Sequence, residues 1–155
     1  MSSNIHFAMG GAIFGAFTTE SVSLIAKHGL PGVEPYRSGL TAWLDKPQAL
    51  KALLDEHGMR LITASNGGLG QSMAFIDPSK RRQTIADHVA FCGDFLQIFG
   101  CTHFKINMGS RPQNGTTTDD IKAIAETVLE LGKRTLEIGV TIAPHPHIWG
   151  PIERP

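Results

Sequence analysis

The most constraining feature of the sequence is a pattern that recurs along the chain: helix-forming residues, a glycine, and then a short run of strand-forming residues. A glycine directly after a helix adopts the left-handed conformation that closes the last turn. Each such glycine therefore marks a point where a helix ends and a strand begins, and the spacing is typical of successive βα units. The junctions are Gly29, Gly58, Gly100 and Gly139.

The segments between these junctions have helical periodicity. Apolar residues recur on one face of each segment, as in helices that pack on a sheet. Residues 117–120 supply a threonine cap and acids suited to the start of the last helix. With residues 5–9 as the opening strand, the pattern predicts β-α-β-α-β-α-β-α-β and a parallel sheet. The two clearest predicted faces are Ile85, Val89, Cys92, Leu96 and Phe99 in the third helix and Ile121, Ala125, Val128 and Leu131 in the fourth.

Side-chain alternation within the strands favours a barrel over an open doubly wound sheet. One face of each predicted strand is apolar, while the other carries polar groups that concentrate toward the carboxyl end. Open parallel sheets covered on both sides are apolar throughout, whereas a barrel mouth is polar. We predict an α/β fold, a partial TIM-type (βα) barrel of about five parallel strands and four helices, forming one domain over residues 1–155. The predicted apolar face is Ile5/Phe7/Met9, Val33, Ile62/Ala64, Phe104/Ile106/Met108 and Val140/Ile142.

The length conflicts with a complete barrel. The sequence has 155 residues, whereas a barrel of eight βα units takes about 250. Five strands alone would leave sheet edges unpaired. We therefore expect a fragment of a barrel, or a chain whose sheet is completed by a second copy or by another protein.

Composition excludes several classes of protein. The formal net charge is zero and residues 80–82 form the only basic run, so we predict no nucleic-acid partner. No apolar stretch is long enough to span a bilayer, so we predict no membrane partner. Cys92 and Cys101 form no metal or disulfide pattern and are expected to be packing residues in a cytoplasmic protein.

The sharpest motif is Ala143-Pro144-His145-Pro146-His147-Ile148-Trp149-Gly150. Residues two apart on an extended chain point the same way, so the two imidazoles would face one site. The alternating prolines place the pair at the exit of the fifth strand, where parallel α/β folds bind ligands. Neutral imidazoles there suit a divalent metal or sugar hydroxyls. Two histidines that merely end a strand are the alternative.

Other strand ends carry further candidates. Glu34 at the second strand could act as a base or orient a ligand, or could simply pair with Arg37 or Lys105. Lys105 could neutralise an enediolate or a phosphate, and Asn107 lies on the same face of its strand. His6 on the first strand would contact substrate or be a hydrogen-bonded core histidine. The histidines expected on helix surfaces are His28, His57 and His88.

Two glycine-rich segments follow strands. Residues 66–71, which begin with Asn66, suit a cover over a bound polyol or a flexible connection. Residues 10–15 are followed by an acid at a plausible distance for a dinucleotide fingerprint, but their glycines do not match the required spacing. Nucleotide binding is therefore disfavoured.

These features together resemble the xylose isomerase-like TIM barrels, which include sugar phosphate isomerases and epimerases. The resemblance rests on Gly32-Val33-Glu34, the helix–glycine–strand junctions and residues 142–147. It covers about the first half of a family member. It implies a divalent metal (Mn, Co, Mg or Zn) at the barrel mouth and proton transfer between sugar carbons through an enediolate.

The resemblance also implies roles for particular residues. His145 takes the position where many members have a metal-binding glutamate, and we assign it and Glu153 as metal ligands. His147 matches a substrate-contacting position and Trp149 is placed beside it, while Glu34 matches an acid that lines the pocket. The remaining metal ligands of the family come from later strands.

The predicted function is that of a sugar, or sugar phosphate, isomerase or epimerase. Glu34 and Lys105 are the predicted catalytic residues, and a small sugar or polyol is the expected partner. The alternative is a non-catalytic half barrel that binds carbohydrate or assembles with other chains, because the later ligands are missing from the sequence.

Overall fold

The computed structural model describes residues 7–11, 14–66 and 74–152. Helices and parallel strands alternate along these residues as the sequence predicts. The strands are β1 (Met9–Gly10), β2 (Gly32–Glu34), β3 (Arg60–Leu61), β4 (His103–Ile106) and β5 (Thr141–Pro144). The α-helices are α1 (Thr19–Lys27), α2 (Pro47–Glu56), α3 (Arg81–Asp94) and α4 (Thr118–Glu137). Short 3₁₀ turns lie at Arg37–Leu40, Pro78–Lys80 and Leu96–Phe99.

The glycines at the predicted junctions adopt the left-handed conformation. Gly29, Gly58, Gly100 and Gly139 have φ angles of 72°, 66°, 70° and 77°. An L side chain rarely adopts these values, so each junction depends on the residue type. The capping prediction at α4 is also confirmed: Thr117 and Asp120 form a reciprocal capping box.

The strands form one parallel series that residues 63–66 join in the middle. β1, β2 and β3 pair in that order, and β4 pairs with β5. Ser65 joins the two groups, because it forms parallel bridges to Tyr36 and to Lys105. Within the described residues the strands do not close into a barrel, and β1 and β5 lie at the two ends of the series.

One extra residue interrupts the pairing of the second and third strands. Val33 pairs with Leu61, whereas three residues later Tyr36 pairs with Ser65 instead of with residue 64. This is a bulge, which turns the following side chains to the opposite face. The prediction that Ile62 faces the helices is therefore wrong: it is 44% exposed, while Ala64 is buried.

The core lies between the strands and α1 to α4. Cys92 and Cys101 are buried as predicted, and burial raises the pKa of both thiols to about 12. Phe7, by contrast, is 67% exposed at the β1 edge instead of being covered by a helix. The largest fully buried side chains include Phe17, Phe75, Phe95, Phe104, Ile25, Leu40, Leu50, Leu54 and Ile85.

The predicted packing face of α4 is only partly correct. Leu131 is buried, but Ile121 and Ala125 are exposed. The helix instead buries Ile124 and two threonines, Thr127 and Thr135. No described helix contains a segment of the length and apolar character needed to cross a membrane.

Candidate functional site

The predicted catalytic pair is brought together on one face of the strands. Glu34 leaves the end of β2 and Lys105 leaves β4, and their side chains form an ion pair across the strand that carries Ser65. Both side chains are about a quarter exposed, at 26% and 27%. Of the two partners considered for Glu34, the structure selects the lysine.

Arg37 binds elsewhere. Its guanidinium donates two hydrogen bonds, of 2.5 and 2.7 Å, to the carboxylate of Asp87 on α3. The same guanidinium lies 4.6 Å from the ring centre of Phe91. This bidentate pair fixes the segment after β2 to α3, and it leaves Lys105 as the cation that faces Glu34.

The imidazoles and the indole after β5 form a row of rings. β5 ends at Pro144, so His145 and His147 leave its exit as predicted. Their ring centres are 4.6 Å apart and perpendicular, and the His147 ring stacks on Trp149 at 4.4 Å. The guanidinium of Arg111 donates to the carbonyl of Ile148 at 3.2 Å, which holds the backbone of the row.

The row lies close to the catalytic pair. Burial lowers the pKa of His147, and the positive charges of His145 and Lys105 lower it further. Lys105 pairs with Ala143 on β5, two residues before His145, so the row leaves the sheet next to the strand that carries the lysine. The structure thus gathers Glu34, Lys105 and the rings of residues 145–149 on the carboxyl ends of the strands. His145 is exposed and Trp149 is 37% exposed.

Asn66 and Asn107 lie at the carboxyl ends of adjacent strands but bind each other. The amide nitrogen of Asn66 donates to the Asn107 carbonyl at 3.1 Å, and the Asn107 N–H donates to the Asn66 Oδ1 at 2.6 Å. Asn107 Oδ1 accepts from the N–H of Gly109 at 2.8 Å. Asn66 is only 3% exposed. It therefore joins two strands instead of facing the open side with Lys105.

His88 is the residue that sequence reasoning misplaced. The prediction of a helix-surface histidine is wrong, because the side chain is 3% exposed and lies between Phe75 and Phe104. Its Nε2 is 2.9 Å from the amide nitrogen of Asn66. The signal available in the sequence was its position three residues after Ile85 and four before Cys92, which places it on the apolar face of α3.

Two assigned residues lie outside the described part of the chain. These are His6, predicted to contact substrate, and Glu153, predicted to bind metal; residues 67–71 of the glycine-rich segment do so as well. Their roles stay predictions.

Comparison with known proteins identifies the family. The sequence profile of the xylose isomerase-like TIM barrels matches residues 22–154. The chain belongs to this family. No curated protein sequence matches the chain. The family assignment agrees with the resemblance inferred from the residues, and it accounts for the alternation of parallel strands and helices.

Solved structures of xylose isomerase-like proteins share this fold. D-psicose 3-epimerase from Clostridium cellulolyticum H10, crystallised with D-tagatose, superposes with a TM-score of 0.71 at 19% identity, over 89% of this chain and 51% of that one. 3-Keto-D-glucoside 4-epimerase from E. coli gives a TM-score of 0.71 at 16% identity, over 94% of this chain and 58% of that one. The chain thus spans about half the length of these structures.

The described residues do not by themselves form a metal site. Among residues 7–11, 14–66 and 74–152, no three His, Cys, Asp or Glu side chains gather where they could hold an ion. His145 and His147 contribute two imidazoles, and a divalent ion held by two protein ligands falls short of the three or four that zinc sites use. The described residues of this xylose isomerase-like chain therefore supply at most part of a metal site, and the metal stays a prediction.

Burial of His88 predicts a loss of stability in acid. Desolvation lowers its pKa below the ordinary 6.5, so the unfolded chain binds a proton that the folded chain does not. The free energy of unfolding should then fall as the pH drops below about 6.5 toward the lowered value. Thermal unfolding followed between about pH 7.5 and 5 measures this change, and His88→Gln should reduce the slope.

The matched control for this pH dependence is His28→Gln, because His28 ends α1 in an exposed position. This substitution should leave the slope as in the wild type. An equal slope in His88→Gln and in the wild type would contradict the assignment to His88. Asp87, whose pKa Arg37 lowers by hydrogen bonding, adds a further loss only at more acidic pH, below its ordinary 3.8.

Proposed function

We propose that this chain binds a sugar or sugar phosphate and contributes to its isomerisation or epimerisation. The observation that carries the proposal is the ion pair of Glu34 and Lys105, whose lysine lies on β4 beside β5, the strand that ends at the rings. A carboxylate, an ammonium and a row of aromatic rings are the groups that such a reaction needs. The epimerase activities named for the structural neighbours support the same class of reaction.

Glu34 would act as the base. Its carboxylate would take the proton from the carbon next to the substrate carbonyl and return it to the adjacent carbon; in an epimerisation, an acid on the other side of the substrate would supply the proton to the opposite face. Because Lys105 holds this carboxylate in the resting site, the substrate would have to enter between the two groups. The ammonium would then lie beside the enediolate oxygen and offset its negative charge.

His147 and Trp149 would hold the sugar. Imidazole nitrogens bind hydroxyl groups, and an aromatic face packs against the apolar C–H side of a sugar ring. Both side chains lie beyond the end of β5 and are partly exposed, so a ligand can reach them.

Metal binding by His145 and Glu153 stays a prediction. A divalent ion would polarise the substrate oxygens, and ligands beyond the described residues would have to complete its coordination. Equilibrium dialysis of the purified chain against Mn²⁺, with His145→Ala as the comparison, measures whether the chain binds the ion.

Isotope exchange tests the proposed reaction. The chain is incubated with D-fructose or with D-psicose in D₂O, with and without added Mn²⁺, and deuterium at the carbon beside the carbonyl is followed by NMR. Incorporation above the protein-free rate supports the proposal. Neither incorporation nor saturable sugar binding under either condition would overturn it.

The chain spans about half the length of the solved structures, and the second candidate function is that of a half barrel that binds a sugar without turning it over. Saturable binding with no deuterium incorporation would favour this second candidate.

We further propose that a second copy of the chain covers an apolar groove between α4 and β5. The groove measures about 350 Å³ and contains Leu129 and Leu136, which are 62% and 65% exposed. Asp119 and Asp120 begin α4 while Arg134 lies in its last turn. Two such helices in antiparallel contact would pair acidic and basic ends across a twofold axis.

Leu136→Lys should therefore weaken self-association, because it places a charge where an apolar side chain lines the groove. We expect the dimer dissociation constant to rise at least about tenfold, measured by sedimentation equilibrium. Leu24→Lys is the matched control, since Leu24 is 48% exposed on α1 and lies outside the groove. A monomeric wild type at all concentrations would contradict the proposed interface.

A further inference from the structure

The buried histidine of α3 takes no part in the chemistry proposed above. His88 packs edge-on against Phe75, with ring centres 5.4 Å apart, and lies 5.7 Å from Phe104. A polar ring among aromatic neighbours is stable only if its nitrogens have hydrogen-bond partners. The partners that it has connect α3 to the candidate site.

The hydrogen bonds of His88 define its protonation state. Nδ1 lies 2.8 Å from the carbonyl oxygen of Thr84, and a carbonyl can only accept, so Nδ1 carries the hydrogen. In the neutral ring Nε2 is then an acceptor. It faces the amide nitrogen of Asn66 at 2.9 Å, and this amide can donate to it.

Asn66 connects His88 to the end of β4 through hydrogen bonds. One amide hydrogen is used by His88, the other is donated to the Asn107 carbonyl, and Oδ1 accepts from the Asn107 N–H. The opposite amide orientation would put oxygen against the Asn107 carbonyl and –NH₂ against its N–H. Only one orientation therefore satisfies all three contacts, and it requires an acceptor at Nε2 of His88.

The turn after β4 supports the row of rings. Asn107 Oδ1 accepts from the N–H of Gly109, which has a φ of 101°. Two residues on, the N–H of Arg111 donates to the carbonyl of Trp149 at 2.9 Å, so this turn is hydrogen-bonded to the segment that carries the rings. The N–H of Gly150 in turn donates to the carbonyl of His147 at 2.8 Å.

We propose that His88 is a positioning residue: its neutral ring holds Asn66, and through Asn66 it fixes the turn on which His147 and Trp149 rest. Protonation at Nε2 sets a hydrogen against the Asn66 –NH₂ group, so the contact opens and the turn loosens in acid. The importance of this contact for sugar binding rests on the proposed function, but the contact itself does not.

Two charged groups act on the histidine. The carboxylate of Asp87 lies 3.5 Å from Nδ1 and is 46% exposed; it favours the protonated ring, whereas Arg37, which binds Asp87, opposes it. The groups that face the ring from β4 and from the segments around it are uncharged: Phe104, Phe75 and Asn66. Desolvation outweighs the carboxylate, so the pKa of His88 is lowered and the ring is neutral at neutral pH.

NMR of the ring nitrogens and of amide exchange tests the proposal on the intact chain. The ring of His88 should be the Nδ1–H tautomer at about pH 7.5, and the Asn107 amide should be protected from exchange. Its protection factor should fall about tenfold when the ring titrates in acid, as for the loss of one hydrogen bond. His57→Gln, an exposed position at the end of α2, should behave like the wild type.

Two substitutions separate positioning from packing. His88→Phe keeps the aromatic volume without an acceptor, so the Asn107 protection factor should be about tenfold lower at every pH. His88→Gln offers an amide oxygen to Asn66, so it should retain protection and lose the acid step. An Nε2–H tautomer, or wild-type protection of Asn107 in a folded His88→Phe, would overturn the proposal.

Sugar binding distinguishes this proposal from the proposed function. If the exchange pattern holds but the wild type binds no ketohexose, the positioning role is supported and the sugar function fails. If the wild type binds sugar while the Asn107 amide is insensitive to both substitutions and to pH, the sugar function is supported and the positioning role fails.

Discussion

Phe104→Ala is expected to lower the free energy of unfolding by about 3–5 kcal/mol. Phe104 is fully buried on β4, with its ring 5.3 Å from that of Phe91 and 5.7 Å from that of His88. Truncation would leave a cavity in the aromatic cluster that joins β4 to α3, and rigid neighbours could not fill it. Urea denaturation followed by circular dichroism measures the change.

The control for this large effect is Phe7→Ala. Phe7 has the same side chain but is 67% exposed, so its removal should change the free energy of unfolding by about 0.5 kcal/mol or less. A loss below about 1 kcal/mol in Phe104→Ala would show that the aromatic cluster contributes little to stability.

Glu34→Gln is expected to slow deuterium incorporation into the sugar by about 10²–10⁴-fold, the usual contribution of a general base. The amide keeps the shape of the carboxylate, but it cannot take a proton, and it leaves Lys105 without the partner seen in the ion pair. Sugar affinity should change far less than the rate, because His147 and Trp149 remain. The rate is measured by NMR in D₂O, and the affinity by calorimetry.

Glu56→Gln provides the matched control, because Glu56 is an exposed glutamate at the end of α2. It should exchange deuterium at the wild-type rate. Unchanged exchange in Glu34→Gln would remove this residue from the reaction, and loss of affinity without loss of rate would assign it to binding.

Much of the fold could be predicted from the sequence, because the residues that end its helices and strands act within their own segments. A glycine that must adopt a positive φ ends each helix irrespective of what packs around it, and all of the predicted junctions have that conformation. The prolines around His145 likewise act within their own segment. They placed the end of β5 correctly at Pro144.

The face that α4 buries could not be predicted, because helical spacing fits two faces of this helix. Thr127 and Thr135 are buried with their hydroxyls donating to the carbonyls of Ala123 and Gly132, at 2.7 and 3.3 Å. Backbone carbonyls within the helix thus satisfy these polar side chains in the core. Ile121 and Ala125 of the predicted apolar stripe are left exposed instead.

The sequence predicted the positions of the partly exposed site residues Glu34 and Lys105. It did not predict the buried contacts of His88 behind them. The alternation of residues along β4 placed Lys105 opposite the buried Phe104 and Ile106, and Glu34 at the end of the neighbouring strand. His88 is buried by contacts with Asn66, Phe75 and Phe104, which lie 22, 13 and 16 residues away in the sequence. The spacing within α3 places His88 on the apolar face of the helix, but it does not encode these distant partners.

The bulge between the second and third strands lets this part of the fold accept a change in the length of the chain. Removing one residue from positions 62–64 would make the register of Val33 with Leu61 continuous as far as Tyr36. Ser65 would still pair with Tyr36, and the side chains after it would keep their faces, since paired residues of neighbouring strands lie on the same side of the sheet. A single-codon deletion there would therefore leave Asn66 directed at α3, which makes this tripeptide a place where homologues can differ in length as well as in sequence.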